Sequence, residues 1–337
     1  MSRKTIVDSF GRVHNNLRIS VTDRCNIRCF YCMPDENVRF LPRKQILSLE
    51  EITRFVKVCA GMGVNKIRLT GGEPLVRSEL SKLIEMLSRI GGIEDIAMTT
   101  NALLLAEHAQ SLKDAGLGRL NISLDTIDPE RFEQISRRKG LDKVLNGIQA
   151  AKEAGFKKIR INAISIKGLT EAEALPLVKF AREQDLELRF IEFMPLDADQ
   201  NWGLEQVLTG ARLRKIIEAE FGELKAAPRT DLSQPAVDFE FANVGGFANG
   251  GRIGFINPVS EPFCSDCNRL RLTAEGMVRN CLFSTSEWNA KELLSGNATD
   301  EEIESLILDC VGAKKAAHGI DTDEFARPVK AMYQIGG

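Results

Sequence analysis

Six of the eight cysteines in this 337-residue chain fall into two sets. Cys25, Cys29 and Cys32 lie near the start; Cys264, Cys267 and Cys281 lie near the end. Thiolates select zinc, copper or iron–sulfur clusters. A closed structural zinc site takes four ligands, and iron–sulfur clusters too are usually tied down by four cysteines. Each set here supplies three. A cube held by three cysteines leaves one iron open to a small molecule, so two such sets predict chemistry between two bound ligands. The spacing of the first set lets one compact loop wrap three corners of a cube. Its competing reading is a zinc knuckle, but His14 lies eleven residues upstream of Cys25 and no other His or Cys is nearer. The second set suits a structural zinc or a closed cluster as well, and the missing fourth cysteine favours an open site.

Two other groups of residues carry chemistry. In Gly71-Gly72-Glu73-Pro74 the paired glycines allow a backbone to approach a ligand closely, although the same four residues also make an ordinary turn. Arg269 and Arg271, at i and i+2 of one strand, point the same way. Arginine forks suit phosphate or base-edge recognition. By contrast Arg137-Arg138-Lys139 reads as a solvated helix end.

Positioning these groups requires a framework, and its pattern is strand–helix alternation. Strands are expected at Leu17–Val21, Lys66–Thr70, Ile96–Thr99, Leu120–Leu124, Ile159–Ile166 and Leu186–Phe193. Helices are expected at Ser48–Ala60, Ser78–Arg89, Leu105–Ala115, Asp142–Ala154 and Thr170–Gln184. Ser48 followed by Glu51 predicts a capping box, and Gly61, Gly116 and Gly155 predict helix stops. Such alternation builds right-handed βα units around a parallel sheet, and six of them make a partial TIM-like barrel. Function in such barrels gathers at the C-terminal strand ends. Cys25–Cys32 follows the first strand, Gly71–Pro74 the second, Thr99-Thr100-Asn101 the third, Ser123-Leu124-Asp125 the fourth and Glu192-Phe193-Met194 the sixth. One mouth collects them all. Beyond it, Ala211–Phe221 reads as a helix, 226–234 as a linker, and the glycine-rich Gly245–Gly254 as loop between short strands rather than a phosphate cradle.

Composition narrows the class. The formal charge of −2 excludes a global basic field for nucleic acid or membrane, so an anionic substrate needs a local arginine cluster. No apolar run reaches membrane-spanning length, and Met1–Asn16 has no apolar core of the secretory type. Cysteines in a large chain of this kind read as metal ligands in a reducing cytoplasm rather than as disulfides. Cys59 and Cys310 sit in helical patterns and read as small core residues. A homodimer is the commonest assembly open to such a chain.

The first cysteine set, with Phe30-Tyr31 directly before Cys32, resembles the signature of the radical S-adenosylmethionine (radical SAM) enzymes. The second, inside Pro262-Phe263-Cys264-Ser265-Asp266-Cys267-Asn268-Arg269-Leu270-Arg271-Leu272-Thr273, is similar to the molybdenum cofactor biosynthesis protein A family, the GTP 3',8-cyclases. The likeness runs from about Asn16 to Gly337. It implies an α/β fold: a partial (β/α)6 TIM-like radical SAM barrel over 1–225 and a C-terminal cluster-binding extension over 226–337. It also implies two [4Fe-4S] clusters, S-adenosyl-L-methionine (SAM), GTP as substrate, an external one-electron reductant and a downstream enzyme forming cyclic pyranopterin. The reaction implied is radical cyclisation of GTP to its 3',8-cyclo-7,8-dihydro form, an early step towards molybdopterin.

By position, the resemblance assigns SAM contacts to Tyr31, Gly72, Ser123 and Met194. It assigns GTP contacts to Arg18, Arg68, Thr99, Arg160, Arg269, Leu270 and Arg271, with Arg189 as a further candidate; Asp125, on the same strand face as Ser123, is a further candidate beside it. The terminal Gly336-Gly337 pair is expected to reach the active site. Two departures stand out: Arg160 replaces the family's usual lysine, and Ala102 its usual glycine. Two rival readings remain. A radical SAM peptide-modifying enzyme would usually carry more C-terminal cysteines and leaves Arg269 and Arg271 without a role. A zinc or closed-cluster electron-transfer protein would cleave no SAM.

Overall fold

In the computed structural model, residues 5–34, 38–242, 251–320, 322–323 and 325–336 are described. Parts of the glycine-rich stretch (243–250) and Gly337 lie outside them. Six strands arise close to where the alternation places them: β1 Asn16–Ser20, β2 Lys66–Thr70, β3 Asp95–Thr100, β4 Arg119–Ser123, β5 Ile159–Ser165 and β6 Glu187–Glu192. They pair in parallel, each with its successor. Three shorter strands follow, β7 Leu224–Ala226, β8 Val237–Phe241 and β9 Arg252–Ile256, and then β10 Arg269–Leu272, β11 Met277–Arg279 and β12 Trp288–Asn289.

The C-terminal strands extend the same sheet. β9 adds in parallel to β6, and β10 adds in parallel to β1. Antiparallel β8–β7 and β11–β12 then finish the two sides. The order is β12-β11-β10-β1-β2-β3-β4-β5-β6-β9-β8-β7. The barrel wall is therefore two parallel strands wider than six βα units supply, and both cysteine sets hang from one wall.

Alternation along the strands decides which face is which. Leu17, Ile19, Ile67, Leu69, Met98, Leu120, Ile122, Ile161, Leu188, Phe190, Phe255, Leu270 and Leu272 are buried in one apolar core. That core lies between the sheet and helices α1 Leu49–Gly61, α2 Leu80–Ser88, α3 Leu105–Asp114, α4 Pro129–Ser136, α5 Leu141–Glu153, α6 Thr170–Glu183 and α7 Gly210–Phe221. The C-terminal part adds α8 Ala290–Ser295, α9 Asp300–Gly312 and the single turn α10 Met332–Ile335. The residues between the apolar ones face the other way, into the barrel.

Local signals act as expected at most helix ends. Ser48 and Glu51 form the capping box of α1. Gly116 and Gly155 take left-handed conformations after α3 and α5, whereas α1 runs through Gly61 and it is Gly63 that takes the positive φ. Helix α4 has no counterpart among the expected helices. Asp128 caps it and Pro129 opens it, a combination favourable to a helix start, and its eight residues are too few to show a clear apolar period. Arg137 ends it in a left-handed conformation and donates to the Met33 carbonyl at 3.3 Å, so this part of the basic run touches the first cysteine loop.

Candidate functional site

A cavity of about 320 Å³ fills the barrel and receives both cysteine sets. Around the first set, the backbone does the positioning. Arg28 N–H and Phe30 N–H donate to the Ser136 and Ile135 carbonyls at the end of α4. Gly72 N–H donates to Thr22 O at 2.7 Å and Glu73 N–H to Arg24 O at 2.8 Å. The glycines are required there: a Cβ on Gly71 would sit 2.5 Å from Thr22 O, and one on Gly72 would overlap the Arg24 carbonyl. Glu73 itself is turned inward and fully used. It accepts from Thr100 Oγ1, Asn101 N–H and Leu75 N–H, and burial raises its pKa to about 7. Asn101 in turn donates to Asn26 Oδ1 at 2.7 Å and to Cys25 Sγ at 3.8 Å. Tyr31 Oη donates to Asp125 Oδ2 at 2.5 Å, and Asp125 Oδ1 accepts from Ile164 N–H at 2.8 Å.

The second set is built from two loops. Cys264–Asp266 makes a tight turn closed by Cys267 N–H donating to Cys264 O. Arg12 reaches across to the carbonyls of Cys264, Lys315 and Ala316, and Cys281 follows β11, where Asn280 donates to Cys310 O at 2.7 Å. The two sets differ in electrostatics. Burial pushes the thiols of Cys25 and Cys32 up to about 11 and about 12. Cys267 is also buried, yet Arg269 and Lys314 bring it down to about 6.

These donor sets fit clusters better than single ions. Three soft thiols spread around a shared cavity suit the wider corners of an iron–sulfur cube. Between the two sets the cavity wall is cationic. Arg18, Arg68, Arg269 and Arg271 all line it, and none of them pairs with a carboxylate among the described residues. Arg18 Nε is buried without a partner. Burial and neighbouring guanidiniums lower the pKa of Arg68 to about 9 and of Arg271 to about 10, the mark of a positive pocket that an anion would relieve.

Two family models match the chain: Radical SAM superfamily over residues 19–181 and Molybdenum Cofactor Synthesis C over residues 186–320. The chain is 52% identical to the GTP 3',8-cyclase of Rhodopirellula baltica, over 98% of this chain and 92% of that one. It is 42% identical to the GTP 3',8-cyclase of Paenarthrobacter nicotinovorans, over 98% and 97%. The chain belongs to the GTP 3',8-cyclase family. Among solved structures, SuiB of Streptococcus suis aligns with a TM-score of 0.61 at 18% identity, covering 92% of this chain and 69% of that one. The structure of anSMEcpe with bound AdoMet aligns at 0.58 and 16%, covering 94% and 93%. At such identities the likeness concerns the fold alone.

Most residues that the cyclase-family resemblance singles out meet in the cavity: the six cysteines, Tyr31, Gly72, Ser123, Met194, Arg18, Arg68, Thr99, Arg269, Arg271, and also Asp125 and Arg189. Two do not. Leu270 points its side chain into the apolar core, fully buried, so only its backbone faces its neighbours. Arg160 is spent on an ion pair with Glu187, at the floor of the barrel, where Arg119 likewise pairs with Asp95. Arg189 is shared between Asp238 at 3.3 Å and Glu187 at 3.7 Å. Asn121 and Asn162 also line the cavity, beyond the residues that motifs single out. Their signal in the sequence is period two: Arg119, Asn121 and Ser123 alternate along β4, and Arg160 and Asn162 along β5, at positions where an apolar residue would otherwise stand. Gly336 arrives at the same wall through α10, its carbonyl accepting from Arg271 Nη1 at 2.6 Å.

Proposed function

We propose that the protein cyclises GTP to (8S)-3',8-cyclo-7,8-dihydroguanosine 5'-triphosphate, joining ribose C3' to guanine C8 as a radical SAM lyase. The observation that carries this reading is the single cavity into which both three-cysteine sets and the four arginines of the cationic wall open. Cys25, Cys29 and Cys32 would hold one [4Fe-4S] cluster, and Cys264, Cys267 and Cys281 the other. With SAM bound beside the first of these, the pair would supply, on one-electron reduction, a 5'-deoxyadenosyl radical able to take the ribose C3' hydrogen.

The chain's own residues bind, orient and shield. The Gly72 backbone, Tyr31, Ser123 and Met194 frame the SAM end. Arg18, Arg68, Arg269 and Arg271 face the triphosphate and base, with Thr99 beside the ribose. Arg160 acts at one remove, through its ion pair with Glu187, and Leu270 through its backbone. Ile164, Ile191, Phe193 and Met332 line the cavity with apolar surface and exclude water from the reacting carbons. Holding two ligands against one another in this way supplies most of the rate enhancement such a reaction needs. Labour divides at about residue 225: 1–225 carries the SAM chemistry, and 226–337 brings the second cluster and the tail.

No described helix is long and apolar enough to cross a membrane, and free thiols suit a reducing cytoplasm. An external one-electron reductant, a homodimeric state and hand-over to a cyclic pyranopterin-forming enzyme complete the reading. The test is anaerobic: reconstitute with iron and sulfide, reduce, add SAM with GTP or ATP, and quantify 5'-deoxyadenosine. GTP-dependent cleavage with GTP consumed and ATP inert supports the assignment. Cleavage indifferent to GTP would sink the substrate, and no cleavage from a protein holding both clusters would sink the enzyme.

A further inference from the structure

Behind the second cysteine set stands a lysine that no motif announces. Lys314 follows α9 and is 5% exposed. Its ammonium donates to Cys267 Sγ at 3.3 Å and to the Arg269 carbonyl at 3.3 Å. It forms no ion pair with a carboxylate among the described residues. Of the acidic side chains in this corner, Asp8 is already bonded to Arg12 Nε at 2.5 Å and to His14 Nε2 at 3.0 Å, and Asp266 accepts from Ser265 Oγ at 2.9 Å. An ammonium buried without a counter-charge is strongly destabilising. A lysine kept here therefore needs a negative neighbour, and the acceptor it faces besides a carbonyl is sulfur.

The first set is surrounded differently. The side-chain amide facing Cys25 Sγ is neutral Asn101, 3.8 Å away and shared with Asn26. The ionisable neighbours there carry both signs: Asp125 against Tyr31, Glu73 behind Asn101, and Arg28, which donates to the Cys25 carbonyl at 2.7 Å. An ammonium thus donates to a thiol of the second set, whereas Cys25 of the first receives a neutral amide. Positive charge and N–H donors at cluster sulfurs favour the reduced form, whose added electron they stabilise.

We propose that Lys314 is a positioning residue of the second site, which by donating to Cys267 Sγ makes the cluster held there easier to reduce. The inference rests on the two-cluster reading above. The couple concerned is one-electron reduction of the cluster, the electron coming from an external reductant, with no bond made or broken.

The experiment uses the full chain with Cys25, Cys29 and Cys32 changed to Ser, so that only the second cluster contributes a signal. Its midpoint potential is measured by paramagnetic resonance during a dithionite-mediated redox titration, with Lys314→Gln and Lys314→Arg in the same background. Lys314→Gln is expected to shift the midpoint to more negative potential at unchanged iron content, and Lys314→Arg to restore it. An unmoved midpoint in Lys314→Gln overturns the proposal. If Lys314→Gln loses its iron, retention by Lys314→Arg supports a role for the charge, and loss from both overturns it. A parent chain that takes up no iron at all defeats the cluster assignment itself, a failure separate from any result at Lys314.

Discussion

Asp125 uses both carboxylate oxygens, one on the Tyr31 hydroxyl and one on the Ile164 N–H, and so ties the loop between Cys29 and Cys32 to two strand ends. A hydrogen bond to a charged group contributes about 1.5–3 kcal/mol. Asp125→Asn should therefore weaken SAM binding by at least about tenfold while iron content stays unchanged; equal affinity in equilibrium binding would remove Asp125 from the site. His14 carries a pH signature. Burial holds its pKa at about 4 against an ordinary 6.5, so between those values the unfolded chain binds a proton that the folded chain refuses. Its contribution to stability is complete above pH 6.5 and falls by about 3 kcal/mol as the pH drops to 4. Buried Glu73, raised to about 7, acts with the opposite sign over the same window, so the loss is read as the difference between the parent and His14→Gln in urea unfolding at pH 7 and pH 4.5, and a difference that does not change with pH would refute it. Single residues also show what a sequence can and cannot disclose. Ala102 is legible as a departure from the glycine that the resemblance implies, and its φ of +61° is a conformation that favours glycine. The ion pair of Arg160 is not legible, because Glu187 lies on the neighbouring strand and only the register brings them together.

At the level of elements, the six central strands can be read from alternation, since each repeats a two-residue period bounded by turn residues. The flanking places of β9 and β10 cannot, because parallel neighbours far apart in sequence leave no local trace. The tail is the clearest case. Four residues of α10 give no period, yet Tyr333 packs with Met33 near Cys25 and Cys32, and Ile335 packs with Leu196 and Phe283 near Cys281. Met332 N–H donates to Leu196 O at 2.9 Å, and Arg327 pairs with Asp197. One short helix therefore joins the two cysteine loops. Gly336 makes this possible: its φ is +82°, and an added Cβ would stand 2.6 Å from Thr70 Oγ1 and 2.8 Å from Ser20 Cβ. Gly336→Ala carries about 1–2 kcal/mol of backbone strain before that clash is counted. Limited proteolysis should cut the tail roughly tenfold faster than in the parent, with both clusters retained; an unchanged rate would mean that the tail is held elsewhere.

The molecule as a whole is nearly neutral, at −2, yet arginines line its cavity. Paired arginines make the floor of the barrel, at Arg119 with Asp95 and Arg160 with Glu187, and arginines without a carboxylate partner among the described residues make the wall above. Such a wall rewards a polyanion. Guanosine should bind at least about a hundredfold more weakly than GTP, since it forgoes several charge-assisted hydrogen bonds worth about 1.5–3 kcal/mol apiece. Comparable affinities by calorimetry would detach the arginines from the triphosphate. The closure of that wall also has a history within the life of each chain. β1 is among the first segments made, but β10, its partner on one side, begins only at Arg269. At ordinary translation speed the interval is roughly 12–50 s. Throughout it the growing polypeptide exposes an unpaired strand edge, the kind of surface on which foreign strands dock and aggregates start. An interrupted message ending short of Arg269 would leave the barrel open along that seam, with the first cysteine loop beside it. Complete synthesis is thus what seals the chamber, and the neighbour that β1 waits for carries two of its arginines, Arg269 and Arg271.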